Sequence, residues 1–326
     1  PRSNRPTGER LAESDSHRDN HAVATAIRAV ESHHAITAAQ PFRVDLGAIA
    51  ALKPPRDEAH ARAMFARMHS QKPALPPKGI LKTVSAEVDQ TLGFPVWTLT
   101  SKSGGTDLQM VYLHGGAYVG DASIIHWNLC AEIARTSGAT VVLPIYPLAP
   151  EATWSTSFDA LLTLARGSGG SAPVLMGDSA GGGLALALAQ RVAAEGGSPR
   201  VALISPWLDV TMSDPTTPTY DRADPILSAP FLEVAGRFWA GSDDPRRAEV
   251  SPQFGSLRGI RELLLFSGSR DVLYPQALRL VADAKAAGVS CTAHLEEGLV
   301  HVYPLLPIPE AKGPRAALSA FVRAHS

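Results

Sequence analysis

The apolar positions of this chain change period again and again along its length. "TDLQMVYL" (106–113), "ATVVLPIYPL" (139–148), "APVLMG" (172–177), "RVALISPWL" (200–208) and "IRELLLFSGS" (260–269) are short, nearly continuous apolar runs. Such runs predict strands covered on both faces. "KTVSAEVDQ" (82–90), "FPVWTLTS" (94–101) and "SCTAHLEE" (290–297) are alternating or β-rich and predict further strands. Between them the period lengthens to that of a helix. "WNLCAEIARTSG" (127–138), "WSTSFDALLTLARGS" (154–168), "GGLALALAQRVAAEG" (182–196) and "PQALRLVADAKAAG" (275–288) each reach a glycine at or near the end, and "EAKGPRAALSAFVRAH" (310–325) closes the chain. Strands alternating with helices predict an α/β fold with a central, mostly parallel sheet and helices on both faces.

Two regions break the alternation. Residues 1–20 are polar and charged and read as a flexible N-terminus; 21–39 and 46–70 read as helices, so 21–75 is expected to form a helical cap segment. The catalytic domain is then 76–326, with a proline-rich insertion around 210–245 that carries the helix-like "PFLEVAGRFW" and is expected to lie over one sheet end.

Composition narrows the function classes. The chain is 45% hydrophobic, and 30 basic against 31 acidic side chains leave a formal charge of −1. That balance gives no long-range attraction to nucleic acid or an anionic membrane. No apolar run is long enough to span a membrane, and the polar start lacks the apolar core of a signal peptide, so a cytoplasmic location is expected. The cysteines, Cys130 and Cys291, fit no metal spacing and are expected to be small buried residues.

The candidate chemistry begins at "VLMGDSAGGGLALALAQ" (174–190). A phosphate loop needs a lysine after its glycines, and Leu184 and Ala185 stand there instead. Residues 177–181 read Gly-Asp-Ser-Ala-Gly between an apolar strand and a helix, the setting of a nucleophile elbow with Ser179 at its tip. "YLHGGAYVG" (112–120) ends another strand, and its glycine pair can turn N–H groups toward a carbonyl oxygen. Gly115, Gly116 and Ala180 are therefore the candidate oxyanion donors. His114 is read as bracing that loop, and Asp178 as a structural hydrogen-bonding group pointing away from the nucleophile.

A serine nucleophile needs a base, and the base an acid that fixes its tautomer. His294 and His301 follow Ser179 and are the candidates for the base. His301 lies in a loop after a strand and is favoured; His294 lies within the strand. Asp271 lies just after "RELLLFSGS" and is favoured as the acid over Asp209, Glu296 and Glu297. Trp207 and Trp239 flank the insertion and read as core or pocket lining.

Taken together, "HGGAYVG", "YPLAPE" (146–151), "GDSAGG" (177–182), "SPWLD" (205–209), "SRDVLYP" (269–275) and "LVHVY" (299–303) resemble the ordered motifs of the hormone-sensitive-lipase-like carboxylesterases, a group of α/β-hydrolases. The resemblance covers roughly residues 75–326. It implies an α/β-hydrolase fold with a helical cap, Ser179 as nucleophile, His301 as base and Asp271 as its partner. It also implies an oxyanion hole of Gly115, Gly116 and Ala180, a small-molecule acyl ester as substrate, no cofactor, and a homodimer, often through the sheet edge. Ala117 stands where the family has a third glycine, and Pro147 where it has an arginine. An amidase or acyltransferase on the same triad, or a ligand-binding homologue without catalysis, are the alternatives.

Overall fold

The computed structural model describes residues 55–69, 75–167 and 172–324; the helix expected at 21–39 lies outside them. The described chain forms one eight-stranded sheet. In chain order its strands are β1 (Val84–Asp89), β2 (Val96–Ser101), β3 (Gln109–Leu113), β4 (Thr140–Pro144), β5 (Val174–Asp178), β6 (Arg200–Ile204), β7 (Glu262–Arg270) and β8 (Ser290–Val300). Their spatial order is β1-β2-β4-β3-β5-β6-β7-β8. β2 pairs antiparallel with both β1 and β4, and every pairing from β4 onward is parallel.

The apolar runs have a direct physical reading. Val111, Leu113, Leu175, Val201, Leu203, Leu263 and Leu265 point into one core, while Met110, Tyr112, Val174, Met176, Ala202, Ile204, Leu264 and Phe266 point into another. A parallel sheet buried on both faces needs apolar residues at consecutive positions, which erases the alternation of a half-exposed strand.

Helices cover the two faces: α2 (Ile124–Ser137), α3 (Trp154–Arg166), α4 (Ser179–Ala194), α7 (Tyr274–Ala287) and α8 (Lys312–Arg323). α2 starts three residues before the sequence reading placed it. Ser123 caps it reciprocally with His126, whose Nδ1 accepts the Ser123 N–H at 2.8 Å. α2 ends where Gly138 turns left-handed at φ 77°.

The cap is built from both ends of the expectation. α1 (Glu58–His69) precedes the sheet, while α5 (Thr217–Ala223) and α6 (Ala229–Ala240) occupy the insertion between β6 and β7. α1 buries Phe65 edge-on against Phe231 and Phe238 of α6, with ring centroids 5.8 and 5.5 Å apart. Among the described residues no helix is long and apolar enough to cross a membrane.

Candidate active site

Parallel strands place their C-terminal ends on one edge, where α/β sheets bind ligands. β5 ends at Asp178, and the next residue, Ser179, opens α4 with φ 52°. That backbone is left-handed and costs a side-chain-bearing residue roughly 1–3 kcal/mol. The turn also presses α4 against the end of β3. A Cβ on Gly181 would strike the carbonyl oxygens of Leu113 and His114, and one on Gly177 would strike the Gly181 backbone. Both positions therefore exclude a side chain. The Trp207 N–H donates to the Ser179 carbonyl at 2.8 Å and ties the elbow to the segment after β6.

β7 and β8 deliver the acid and the base together. Arg270 pairs with Val300 beyond a register shift at Gly268, so Asp271 and His301 leave the sheet side by side. The His301 Nδ1–H donates to Asp271 Oδ2 at 2.8 Å, and both residues are buried. The Leu273 N–H donates to Asp271 Oδ1 at 2.9 Å, which fixes the carboxylate in its turn. The Val302 N–H donates to Ser205 Oγ at 3.0 Å and holds the histidine loop over the end of β6. Burial works against a protonated His301, but the Asp271 carboxylate, with Asp224 and Asp178 behind it, outweighs burial and raises the imidazole above its ordinary value of 6.5. Ser179 lies on the same sheet edge, although no hydrogen bond joins it to His301 in this structure.

The remaining candidates sit elsewhere. His294 is inside β8, paired with Phe266, and its ring stacks on that phenyl at 4.7 Å. Asp209 spends its oxygens on Thr211 and Ser213, closing a local turn. Glu296 and Glu297 lie exposed on the edge strand.

The loop after β3 bends sharply, with φ 125° at Gly116, 54° at Ala117 and 61° at Tyr118. Gly115 requires a correction to the sequence reading. Its N–H donates to Asp178 Oδ1 at 3.0 Å, so it is turned inward and spent, not offered to a substrate. Among the described residues the N–H groups of Gly116 and Ala117 make no such bond. The Ala180 N–H lies in the first turn of α4, where a helix has no internal acceptor.

Asp178 is the hub beneath this loop. Besides Gly115 it accepts the Tyr112 hydroxyl at 2.7 Å and faces His126 Nε2 at 3.4 Å. Since His126 Nδ1 accepts from Ser123, the ring proton is on Nε2 and points at Asp178. Burial alone would push the Asp178 carboxyl up, but nearby His126 and the bonds from His126, Tyr112 and Gly115 hold it below the ordinary carboxylate range. His114 braces the loop from its other side. Its Nδ1–H donates to the Gly115 carbonyl at 2.8 Å, its ring stacks on Tyr146 at 4.4 Å, and the Tyr146 hydroxyl donates to the His114 carbonyl at 2.6 Å. Burial lowers the His114 imidazole to about 4.

Three residues that sequence reasoning missed complete the site. His126 and Asp224 carry no spacing signal, because their partners are distant in the chain. Tyr118 is the third: it stacks between Trp207 and Trp239, at 5.6 and 4.2 Å, and joins the bent loop to cap helix α6. Among the described residues no group of three His, Cys, Asp or Glu side chains gathers in a metal-binding arrangement.

Known proteins share this fold. Residues 110–305 match a family described as alpha/beta hydrolase fold. The chain belongs to the α/β-hydrolase family. An acetyl-hydrolase of Streptomyces hygroscopicus is 32% identical over 240 residues, 70% of this α/β-hydrolase and 78% of that protein. The crystal structure of EstE5 soaked with p-nitrophenyl butyrate superposes with a TM-score of 0.70 at 28% identity, covering 84% of this chain and 94% of EstE5. An esterase from the bacterial hormone-sensitive lipase family shares the fold over 97% of this chain and 99% of its own, with a TM-score of 0.67 and 24% identity. This α/β-hydrolase thus closely matches the hormone-sensitive-lipase-like bacterial esterases and lipases, a likeness that supports hydrolase chemistry of the carboxylesterase type.

Proposed function

We propose that this α/β-hydrolase is a serine carboxylesterase acting on short- to medium-chain acyl esters, with Ser179 as nucleophile, His301 as base and Asp271 as its orienting acid. The observation that carries the reading is the 2.8 Å Asp271–His301 bond on the sheet edge that also presents Ser179 on a left-handed turn. The Nδ1–H bond to Asp271 leaves the lone pair on Nε2, the nitrogen that must accept the serine proton. The name of the matched acetyl-hydrolase and the soak of EstE5 with p-nitrophenyl butyrate support a short acyl group.

In this scheme His301 takes the Ser179 proton as Oγ attacks the ester carbonyl. The N–H groups of Gly116, Ala117 and Ala180 receive the charge that develops on oxygen. A single such donor contributes on the order of 3 kcal/mol to comparable reactions. His301 then protonates the leaving alcohol, and an acyl group remains on Ser179. Water, deprotonated by His301, releases the acid and restores the serine.

The test is a panel of p-nitrophenyl esters of increasing acyl length with wild type and Ser179→Ala. Wild type should turn over the short esters best, and the variant should lose about 10⁴-fold or more in kcat with its melting temperature retained. A wild type inactive on every ester, or a variant of equal activity, would reject the assignment.

A further inference from the structure

The scheme above gives no role to the buried carboxylate of Asp224. Asp224 stands between α5 and α6 in the cap insertion and is 7% exposed. Its Oδ1 accepts the N–H groups of Ile226 at 2.7 Å and Leu227 at 2.9 Å. Its Oδ2 reaches out of the cap and accepts the N–H of Val272 at 2.8 Å, the residue that follows Asp271. Asp271 in turn accepts the N–H of Leu273. Carboxylates from two distant parts of the chain therefore hold successive N–H groups of the turn that leads into α7. Anions are favoured there by the unpaired N–H groups and dipole of a helix N-terminus.

The chemistry of Asp224 asks for a carboxylate. It meets three N–H donors, which an ionised side chain with two acceptor oxygens can satisfy. An asparagine would turn an NH₂ group toward one of those donors. The ionisable groups that face Asp224 are Asp271 and His301. The charges that favour a protonated His301 are those of Asp271 at the end of β7, Asp224 from the insertion and Asp178 at the end of β5. Burial, and then the Asp271 charge, push the Asp224 carboxyl up, so holding this group ionised at the site carries a cost.

We propose that Asp224 is a positioning residue of the acid–base pair: through Val272 it fixes the turn that carries Asp271, and its negative charge faces the imidazolium that forms on His301. This inference rests on the proposed roles of Asp271 and His301. It makes the cap insertion part of the catalytic electrostatics as well as a cover.

Two measurements test it, the pH dependence of kcat/KM on p-nitrophenyl butyrate and an NMR titration of the His301 ring, on wild type, Asp224→Asn and Asp224→Glu. A charge that favours imidazolium raises the histidine midpoint, so removing it lowers that midpoint. In Asp224→Asn both the acidic limb and the NMR midpoint should move down by roughly one unit, the size expected from a nearby buried charge. Its kcat should fall while KM changes little. Asp224→Glu, which keeps the charge, should hold both midpoints close to wild type. If Asn at this position does not fold, Asp224→Ser, neutral with one acceptor oxygen, gives the same readout. A folded neutral variant whose midpoints match wild type overturns the proposal. The NMR arm needs no turnover, so an enzyme inactive on every ester would reject the esterase reading while the titration still judged Asp224.

Discussion

At the scale of single residues, the site concentrates conformations and charges that a relaxed protein avoids. Ser179, Ala117 and Tyr118 all hold left-handed backbone without being glycine, and all three border the proposed reaction centre. Asp178, Asp224 and Asp271 are buried within the same region, each answered by several hydrogen-bond donors. The histidine is where this arrangement becomes measurable. His301 must be neutral to accept the serine proton, so activity falls as pH falls through its midpoint. Burial opposes that proton, but the Asp271 carboxylate and its neighbours outweigh burial and raise the midpoint above the 6.5 of ordinary imidazole. The acidic limb of kcat/KM should accordingly have its midpoint above 6.5. A pH profile on p-nitrophenyl butyrate checks this, and a midpoint below 6.5 would mean that burial wins over the carboxylates.

At the scale of elements, an aromatic contact joins α1 to the cap helix α6. Phe65 is fully buried, and its ring meets Phe231 and Phe238 of α6 edge-on. Losing a buried phenyl costs about 3–5 kcal/mol. Phe65→Ala should therefore let α1 open, and trypsin cleavage after Arg62 and Arg67 should accelerate by roughly 10²- to 10⁴-fold, since cleavage of a fast-opening segment follows its open population. Unchanged cleavage kinetics would show that α1 is held by something other than this ring. The central strands were legible because burial on both faces writes itself into consecutive apolar positions. α5 was not, since "TPTYDRA" is short, largely polar and has no apolar period. β8 continues past its expected end at 297 to Val300, because pairing with Arg270 carries it through Gly298. Ser179, Asp271 and His301 could be placed by chain order and strand ends. The inward turn of Gly115 could not, for the acceptor that claims its N–H is a side chain 63 residues away. Asp224 was equally hidden, 48 residues from the N–H it holds.

At the scale of the whole molecule, the basic and acidic side chains nearly cancel in number. The formal net charge is −1 and the isoelectric point about 7.0, so the surface as a whole exerts little pull on an approaching substrate. The charges that raise His301 are, by contrast, those of carboxylates: Asp271, Asp224 and Asp178. Low-dielectric surroundings strengthen such a field. A neutral ester feels neither contribution strongly, and its kcat/KM should change by less than about two-fold as salt rises from about 0.01 M to about 1 M, over which the Debye length shrinks from ~30 Å to ~3 Å. An ester whose acyl chain ends in a carboxylate, such as a succinate half-ester, meets the negative field directly. Its kcat/KM should be lower than that of the neutral ester at low salt and should rise several-fold as salt screens the repulsion. Steady-state assays of both esters across that range decide the matter. Equal salt responses would mean that the protons and N–H donors around these carboxylates cancel their field before it reaches the substrate. A falling response for the anionic ester would place a basic group at the mouth of the site and reverse the sign of the argument.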